Sequence, residues 1–268
     1  MKMPQKSHPK YPVNIQIFRN EDALAFYLLG AFLTDGYVEN LNGKKSNFYR
    51  VGLCSADRDW LECVRGLISP GRPIWKRRDQ NVCRLEIANG ELAEWLLSWG
   101  CLKNKSLTVE LSKGIPEKYL ADCVRGVFDG DGSLTIGKYN VVRGARVYTY
   151  PRVNAYICSG SKPFICGLSQ RLKAAGFPGS IITTRNNERP MVGVGNKTRT
   201  IKAGVTWRLQ FADGSAIRFL RWLYYPDHPL SMPRKALLAE RAFGVRAGAN
   251  DEVMRTIKKT PPRCRDGV

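Results

Sequence analysis

The chain has little acid and almost no histidine. Its 268 residues include 43 Lys and Arg against 23 Asp and Glu, and its histidines are His8 and His228. None of the eight cysteines belongs to a Cys-x-x-Cys pair, so the ligand spacing typical of a zinc site is missing. The net charge of +20 favours a nucleic acid as the partner, with an anionic membrane surface as the weaker alternative.

The sequence also lacks a long hydrophobic run. No apolar stretch approaches the ~18 residues that span a bilayer, so we expect no membrane segment. Residues 1–14 have prolines at positions 4, 9 and 12 and no apolar core, which predicts neither a signal peptide nor an amphipathic presequence. Most cysteines lie in apolar or strand-like surroundings, which is typical of a reducing intracellular setting: cytoplasm, nucleoid or organelle matrix.

What the chain does contain is one nine-residue pattern twice, at residues 28–36 and 124–132. Each copy predicts an apolar helix that ends in Asp-Gly. The third and seventh residues of a copy are small and four apart, which places them on one helix face. They are Gly30 and Thr34 in the first copy and Gly126 and Gly130 in the second. Backbones can approach closely at such faces, so we predict that the two helices pair side by side.

Parallel pairing of these helices would bring Asp35 and Asp131 together at one end. A helix C-terminus carries about half a negative charge, so an aspartate there is disfavoured unless a cation compensates it. Two neighbouring carboxylates also repel each other. The repeat therefore predicts a divalent metal ion, shared by or adjacent to Asp35 and Asp131.

The rest of the chain is also duplicated. Residues 54–55 recur at 158–159, and residues 83–90 resemble 207–214. Each half predicts the order helix, two strands, helix, two strands, helix. The predicted segments are a flexible basic lead-in (1–20), the first half (21–99), a linker (100–116), the second half (117–243) and a basic tail (244–268).

Three local predictions test this division. In the first half, Asp57 is expected to cap a helix that extends through Leu67. In the second half, alternating residues predict strands at about 133–137 and 147–158. The last helix of that half is expected at about 214–225.

With these two motifs, the half-repeats and the run at 103–107 ahead of the second copy, the sequence resembles the LAGLIDADG homing endonuclease family in its single-chain form. The first copy departs from the family pattern in having Leu33 at its sixth position and Thr34 at its seventh. Neither change affects the acid at the eighth position. The resemblance implies an α+β fold of two pseudo-twofold αββαββα halves. Each half has a four-stranded antiparallel DNA-binding sheet, and the paired motif helices join them.

In such halves, helices cover one face of each sheet and leave the other face free. The predicted free faces are rich in arginine, lysine and side-chain amides, the groups that read base edges in the major groove. The predicted DNA-binding residues are Arg50, Lys76, Arg78, Arg84, Arg152, Asn154, Arg185, Arg208 and Gln210. Residues 186–202, with cations among glycines, are expected to touch phosphates.

The resemblance implies a metal-dependent double-strand break in a long, nearly asymmetric duplex by a monomer. Asp35 and Asp131 would each hold a divalent cation, Mg²⁺ with Mn²⁺ as a substitute, which activates water and stabilises the leaving oxygen. Lys105 and Lys235 are the candidate catalytic cations, because each follows the last helix of its half. Lys103 competes with Lys105 for this role.

Two other functions remain open on the same scaffold. An RNA-binding intron maturase and a non-cleaving DNA-binding regulator would both use a cationic sheet. The presence of both Asp35 and Asp131 disfavours a pure binder, whereas maturase activity can coexist with cleavage.

Overall fold

The computed structural model describes residues 11–41, 49–76, 81–186, 189–192, 198–201 and 204–245. These residues form two four-stranded antiparallel sheets with helices against one face of each, together with a separate two-stranded hairpin. The predicted α+β class and the duplicated halves are confirmed. In the described residues, no helix is long and apolar enough to cross a membrane.

The first half contains four helices and four strands. In chain order they are α1 (Gln16–Asn20), α2 (Ala23–Asp35), β1 (Gly36–Asn40), β2 (Tyr49–Ser55), α3 (Arg58–Ile68), β3 (Ile74–Lys76), β4 (Cys83–Ile87) and α4 (Gly90–Ser98). The strand order in the sheet is β1-β2-β4-β3. Helix α1 was not predicted. It lies in the expected lead-in, but it buries Ile17 and Phe18 in the core.

The second half repeats this order. Its elements are α5 (Leu120–Asp131), β5 (Gly132–Arg143), β6 (Arg146–Ser159), α6 (Lys162–Ala174), β7 (Ser180–Asn186), β8 (Arg189–Val192), β9 (Thr198–Ile201), β10 (Gly204–Ala212), α7 (Asp213–Leu223) and α8 (Pro233–Phe243). The sheet order β5-β6-β10-β7 matches that of the first half, and β8 pairs with β9.

Two features of the second half exceed the prediction. Strand β6 matches the expected 147–158, but β5 extends beyond the expected 133–137, and the hairpin stays paired to Arg143 and Arg146 at its tip. Helix α8 was not expected at all, although Pro233 at its start is a favourable first helical residue.

Side-chain caps fix the starts of several helices. Asp22 accepts hydrogen bonds from the backbone N–H groups at the start of α2, Asn89 does so for α4, and Ser161 for α6. Asp57 precedes α3 as predicted, but its side chain does not cap the helix. The Asp57 carboxylate instead binds Arg234 at 2.9 and 3.0 Å.

The two motif helices, α2 and α5, pack against each other at the predicted small residues. A Cβ atom added to Gly30 would overlap the Cys123 carbonyl oxygen, and one added to Gly126 would overlap the Tyr27 carbonyl oxygen. One added to Gly130 would overlap the Thr34 hydroxyl, so the threonine of one motif fits against the glycine of the other. The predicted pairing is confirmed.

The linker between the halves is packed rather than loose. Cys101, Val109, Leu111 and Ile115 are buried within it. Lys105–Leu107 forms a short 3₁₀ turn, which follows Asn104 in the left-handed backbone conformation with φ of 60°. The turn directs Lys105 into the molecule.

Candidate active centre and sheet surfaces

Asp35 and Asp131 end the two paired helices. Each is the last residue of its helix, and the next residue, Gly36 or Gly132, begins the first strand of a sheet. A Cβ atom added to Gly130 would lie 3.2 Å from Asp35 Oδ2, so the Asp35 carboxylate lies against the last turn of α5. The sequence therefore brings both acids to one place through helix pairing.

The surroundings of the two acids disfavour their charge. Burial, and then the negative charge of Asp131, raise the pKa of Asp35 to about 7, while Lys235 and Lys105 oppose this rise. Burial also raises the pKa of Asp131, again against the same two ammonium groups. A further positive charge at this position would stabilise both carboxylates.

Lys105 and Lys235 occupy similar places at the two helix ends. Both are only 5% exposed. Lys105 Nζ donates to the carbonyl oxygen of Gly36, and Lys235 Nζ donates to the carbonyl oxygen of Gly132 at 2.7 Å. Each ammonium thus compensates the partial negative charge of a helix C-terminus. Burial lowers the pKa of both, to about 8 for Lys235.

Lys103 lies elsewhere. Its ammonium forms an ion pair with Glu39, and its side chain is 52% exposed. The structure therefore places Lys105, and not Lys103, beside the helix ends.

Two cavities border the helix ends. One, of about 290 Å³, is lined by Asp131, Lys105, Thr34 and Cys158 among others. The other, of about 420 Å³, is lined by Thr34, Lys105, Lys103 and residues of the first sheet. Asp131 and Lys105 therefore line the same cavity.

The donor set suits a hard cation that keeps most of its water. In the described ranges, no group of three or more His, Cys, Asp or Glu side chains could hold a metal ion. Asp35 and Asp131, the last residues of α2 and α5, place two carboxylates at the helix ends. Mg²⁺ is characteristically bound by one or two carboxylates together with water and substrate phosphates, so the pair fits Mg²⁺ better than a caged Ca²⁺ or Zn²⁺ site.

The free face of the first sheet contains both charges. Arg84 Nη1 donates to Glu86 at 3.1 Å, and the Tyr37 hydroxyl donates to the same carboxylate at 3.1 Å. Arg50 lies 3.9 Å from Glu86 and 4.0 Å from Glu39. The two predicted arginines are therefore on the free face, but Glu39 and Glu86 on the same face partly neutralise them, which the sequence analysis did not predict.

The free face of the second sheet has no such acids, since β5, β6, β7 and β10 contain no Asp or Glu. The Arg208 guanidinium lies 4.2 Å from the Tyr156 ring centre, and Arg152 lies 5.5 Å from that of Tyr139. Asn154 and Gln210 share this face by strand register. All four predicted residues on β6 and β10 are placed together.

Two predicted members of the free faces lie on the other side. Lys76 lies opposite the buried Cys83 on the neighbouring strand. Arg185 lies opposite Val205, which is on the same face of β10 as the buried Leu209. Each therefore points to the helix side of its sheet, and the predicted face is wrong for both. They are on β3 and β7, the corresponding edge strands, where exposure on both sides hides the alternation.

Some predictions fall outside the described residues. Arg78 does, and so does much of the expected phosphate-binding segment 186–202. The described parts of that segment pair as β8 and β9.

The sequence reading also missed a buried polar network behind the acids. Asp129, the sixth residue of the second motif, accepts hydrogen bonds from the hydroxyls of Tyr27 and Tyr224. Arg125 is fully buried and binds Asp122 at 2.7 Å. The available signal was the presence of charged residues inside an otherwise apolar helix, because buried charges must be paired.

Comparisons with known proteins agree with this architecture. No protein-family model and no curated protein sequence matches the chain. The LAGLIDADG meganuclease I-AabMI, whose crystal structure was determined bound to uncleaved DNA, matches 87% of this chain and 91% of its own, at 11% identity and a TM-score of 0.50. A mesophilic variant of the homing endonuclease I-DmoI matches 83% of this chain and 99% of its own, at 14% identity and a TM-score of 0.49. With its two sheets and paired motif helices, the chain has the fold of the LAGLIDADG homing endonucleases.

Proposed function

We propose that the protein is a divalent-metal-dependent, site-specific DNA endonuclease. The observation that carries this proposal is the meeting of Asp35 and Asp131 at the ends of paired helices, where each helix passes directly into a sheet whose free face carries arginines. Because the chain contains both halves, it would act as a monomer on a long, nearly asymmetric duplex. One acid for each DNA strand would give a double-strand break.

The two aspartates would hold the metal ions. When bound, Mg²⁺ or Mn²⁺ supplies a water nucleophile and stabilises the leaving 3′ oxygen. Asp35 and Asp131 contribute oxygen ligands, and cation binding would keep both ionised despite their burial. Lys105 and Lys235 add fixed positive charge close to the position of the reacting phosphate.

The sheets would supply target recognition. Arg50 and Arg84 on the first sheet, with Arg152, Asn154, Arg208 and Gln210 on the second, are suited to guanine and adenine edges in the major groove. Lys76 and Arg185, at the sheet edges, are better placed for phosphates than for bases. Arg78 and the segment 186–202 remain candidates for further contacts.

A non-cleaving DNA regulator or an RNA-binding maturase would use the same sheets. Neither function by itself explains two buried acids at the helix ends, because leaving carboxylates buried and close together destabilises the fold unless a cation is gained.

The seven described cysteines form no disulfide, as expected for a protein that acts in a reducing cellular compartment.

Incubation with a randomised duplex library, with and without Mg²⁺, tests the function. We expect cleavage of a rare subset of sequences only with the metal. Asp35→Asn and Asp131→Asn should each abolish double-strand cutting while DNA binding is preserved. Undiminished double-strand cutting by both variants would refute the assigned roles, and binding without cutting by the native chain would favour the regulator or the maturase.

A further inference from the structure

Asp129 is a fully buried carboxylate that does not point to the candidate metal site. Its Oδ1 accepts from the Tyr224 hydroxyl at 2.7 Å. Its Oδ2 accepts from the Tyr27 hydroxyl at 2.8 Å and from the backbone N–H of Met232 at 2.7 Å. Three donors from three separate parts of the chain therefore converge on one side chain, which is 0% exposed.

Met232 is the N-cap residue directly before helix α8, and Lys235 follows it by one helical turn. The backbone N–H of Lys235 donates to the Met232 carbonyl oxygen at 3.0 Å. At the other end of the lysine, Nζ donates to the backbone oxygens of Phe128 and Asp129 at 2.6 and 2.7 Å. Asp129 thus contacts the segment that carries Lys235 at both the helix start and the ammonium.

The first half has a different arrangement. Its motif has Leu33 in place of Asp129, and Leu33 is buried in the core. Lys105 lies on a 3₁₀ turn instead of an α-helix, and its described carbonyl contact is with Gly36. The hydrogen bond that links the Lys105 segment to the first motif helix comes from the Cys101 thiol, which donates to the Phe32 carbonyl oxygen at 3.2 Å. One hydrogen bond donated by a thiol is much weaker than three hydrogen bonds accepted by a carboxylate.

We propose that Asp129 is the positioning residue for Lys235, and that it acts on one centre alone, the one formed by Asp131 and Lys235 at the end of α5. By fixing Met232, it sets the start of α8 and so the place of the Lys235 ammonium at the end of α5. The positioning itself does not depend on the proposed nuclease activity, whereas its effect on strand cleavage rests on that function.

Lysine labelling of the full-length protein tests the positioning directly. In Asp129→Asn, the Met232 N–H donates to a neutral amide oxygen, or faces an NH₂ group, instead of donating to a carboxylate, so the Met232 contact weakens. We expect labelling of Lys235 by a small amine-reactive reagent, followed by mass spectrometry, to rise about tenfold. Labelling of Lys105 should remain unchanged. Tyr224→Phe, which leaves the Met232 contact in place, should give a smaller rise.

Leu172→Ala is the matched control. It removes a buried side chain from α6 and leaves Asp129 unchanged. Labelling of each variant is measured at the same number of degrees below the melting temperature of that variant. We expect it to leave Lys235 labelling at the native level. Equal Lys235 labelling in native protein and Asp129→Asn, or an equal rise at Lys105, would overturn the positioning role.

Strand-specific nicking then tests the consequence. In single-turnover assays on an end-labelled target, Asp129→Asn should slow one strand about tenfold more than the other at unchanged DNA affinity, so nicked product accumulates. Equal slowing of both strands would contradict the restriction to one centre. If the native chain cuts no DNA, the proposed function fails, while the labelling result still decides whether Asp129 positions Lys235.

Discussion

The two halves share one strand order but differ in the charge of their free sheet faces. The first sheet pairs Arg50 and Arg84 with Glu39 and Glu86, whereas the strands of the second sheet contain no acid. On a polyanion, the second face would attract phosphate strongly and the first would do so weakly. Under the proposed function, we therefore expect a division of tasks on one framework, with the second face contributing more of the attachment to phosphate and the first face more of the discrimination.

The helix interface, by contrast, should be equal in the two halves. Gly30→Ala and Gly126→Ala each place a methyl group against a backbone carbonyl of the other helix. We expect each to lower the free energy of unfolding by at least about 3 kcal/mol, the upper range for overpacking. Denaturant unfolding measures this. Gly137→Ala, at a site with open space, is the control, and clearly unequal losses at positions 30 and 126 would break the symmetry.

The raised pKa of Asp35, the acid of the first half, should make the stability of the protein depend on pH. Because the pKa of Asp35 is raised to about 7, the folded chain keeps a proton that the unfolded chain releases near pH 4. Stability of the metal-free protein should therefore fall as pH rises from about 4 to 7. We expect Asp35→Asn to remove a loss on the order of 2 kcal/mol between pH 5 and pH 8.

Melting curves at these two pH values, with and without Mg²⁺, test this prediction. Mg²⁺ should stabilise the native protein at pH 8, since a ligand that binds only the folded state raises its stability. Asp35→Asn should gain less from the metal. A native chain whose stability does not decrease with pH in this window would contradict the buried, proton-holding state of Asp35.

The sheet faces can be compared by salt dependence. Arg208→Ala should weaken DNA binding by about 1–2 kcal/mol and reduce the slope of log K against log salt by about 1. Arg84→Ala should have a smaller effect on both quantities, because Glu86 already neutralises part of the Arg84 charge. Dissociation constants between 50 and 200 mM salt measure the difference. A larger effect at Arg84 would reverse the division of tasks.

The smallest expected effect belongs to the acids of the first face. Glu86→Gln should strengthen DNA binding by about 0.5 kcal/mol, the value of a partly exposed ion pair, and reduce discrimination among target sequences. A binding assay with the selected target and with competitor duplexes measures both. Glu62→Gln, which breaks an exposed ion pair on α3, is the matched control and should change neither.

Much of the architecture could be predicted because it is written in periodic patterns. Apolar or small residues three or four positions apart predict the helices and their interface, and apolar residues two positions apart predict the strands. The approximate place of Asp35 and Asp131 follows from the repeat. Strand β6 was predicted to within one residue at each end, whereas the outer part of β5 was not predicted, because both of its faces are exposed and show no alternation. The same reason explains the wrong faces of Lys76 and Arg185.

Other parts depend on contacts distant in sequence. Two lysines lie close together in an irregular linker, and only the left-handed Asn104 and the following 3₁₀ turn select Lys105. Asp57 is bound by Arg234, 177 residues away, and no local rule predicts this. Helix α8 is a different case, since Pro233 and the Ala- and Leu-containing run after it were available signals that the sequence reading did not use.

The direct passage from Asp35 into β1, and from Asp131 into β5, has a practical consequence for protein engineering. No residue separates the aspartate from the strand that follows it. A chimera in which only the strands are exchanged would therefore also move the backbone of the aspartate. Under the proposed function, grafting strands to change the DNA target would alter catalysis and recognition together. Exchange of entire halves avoids this, provided that the first half is transferred with its linker, because Lys105 travels on that segment.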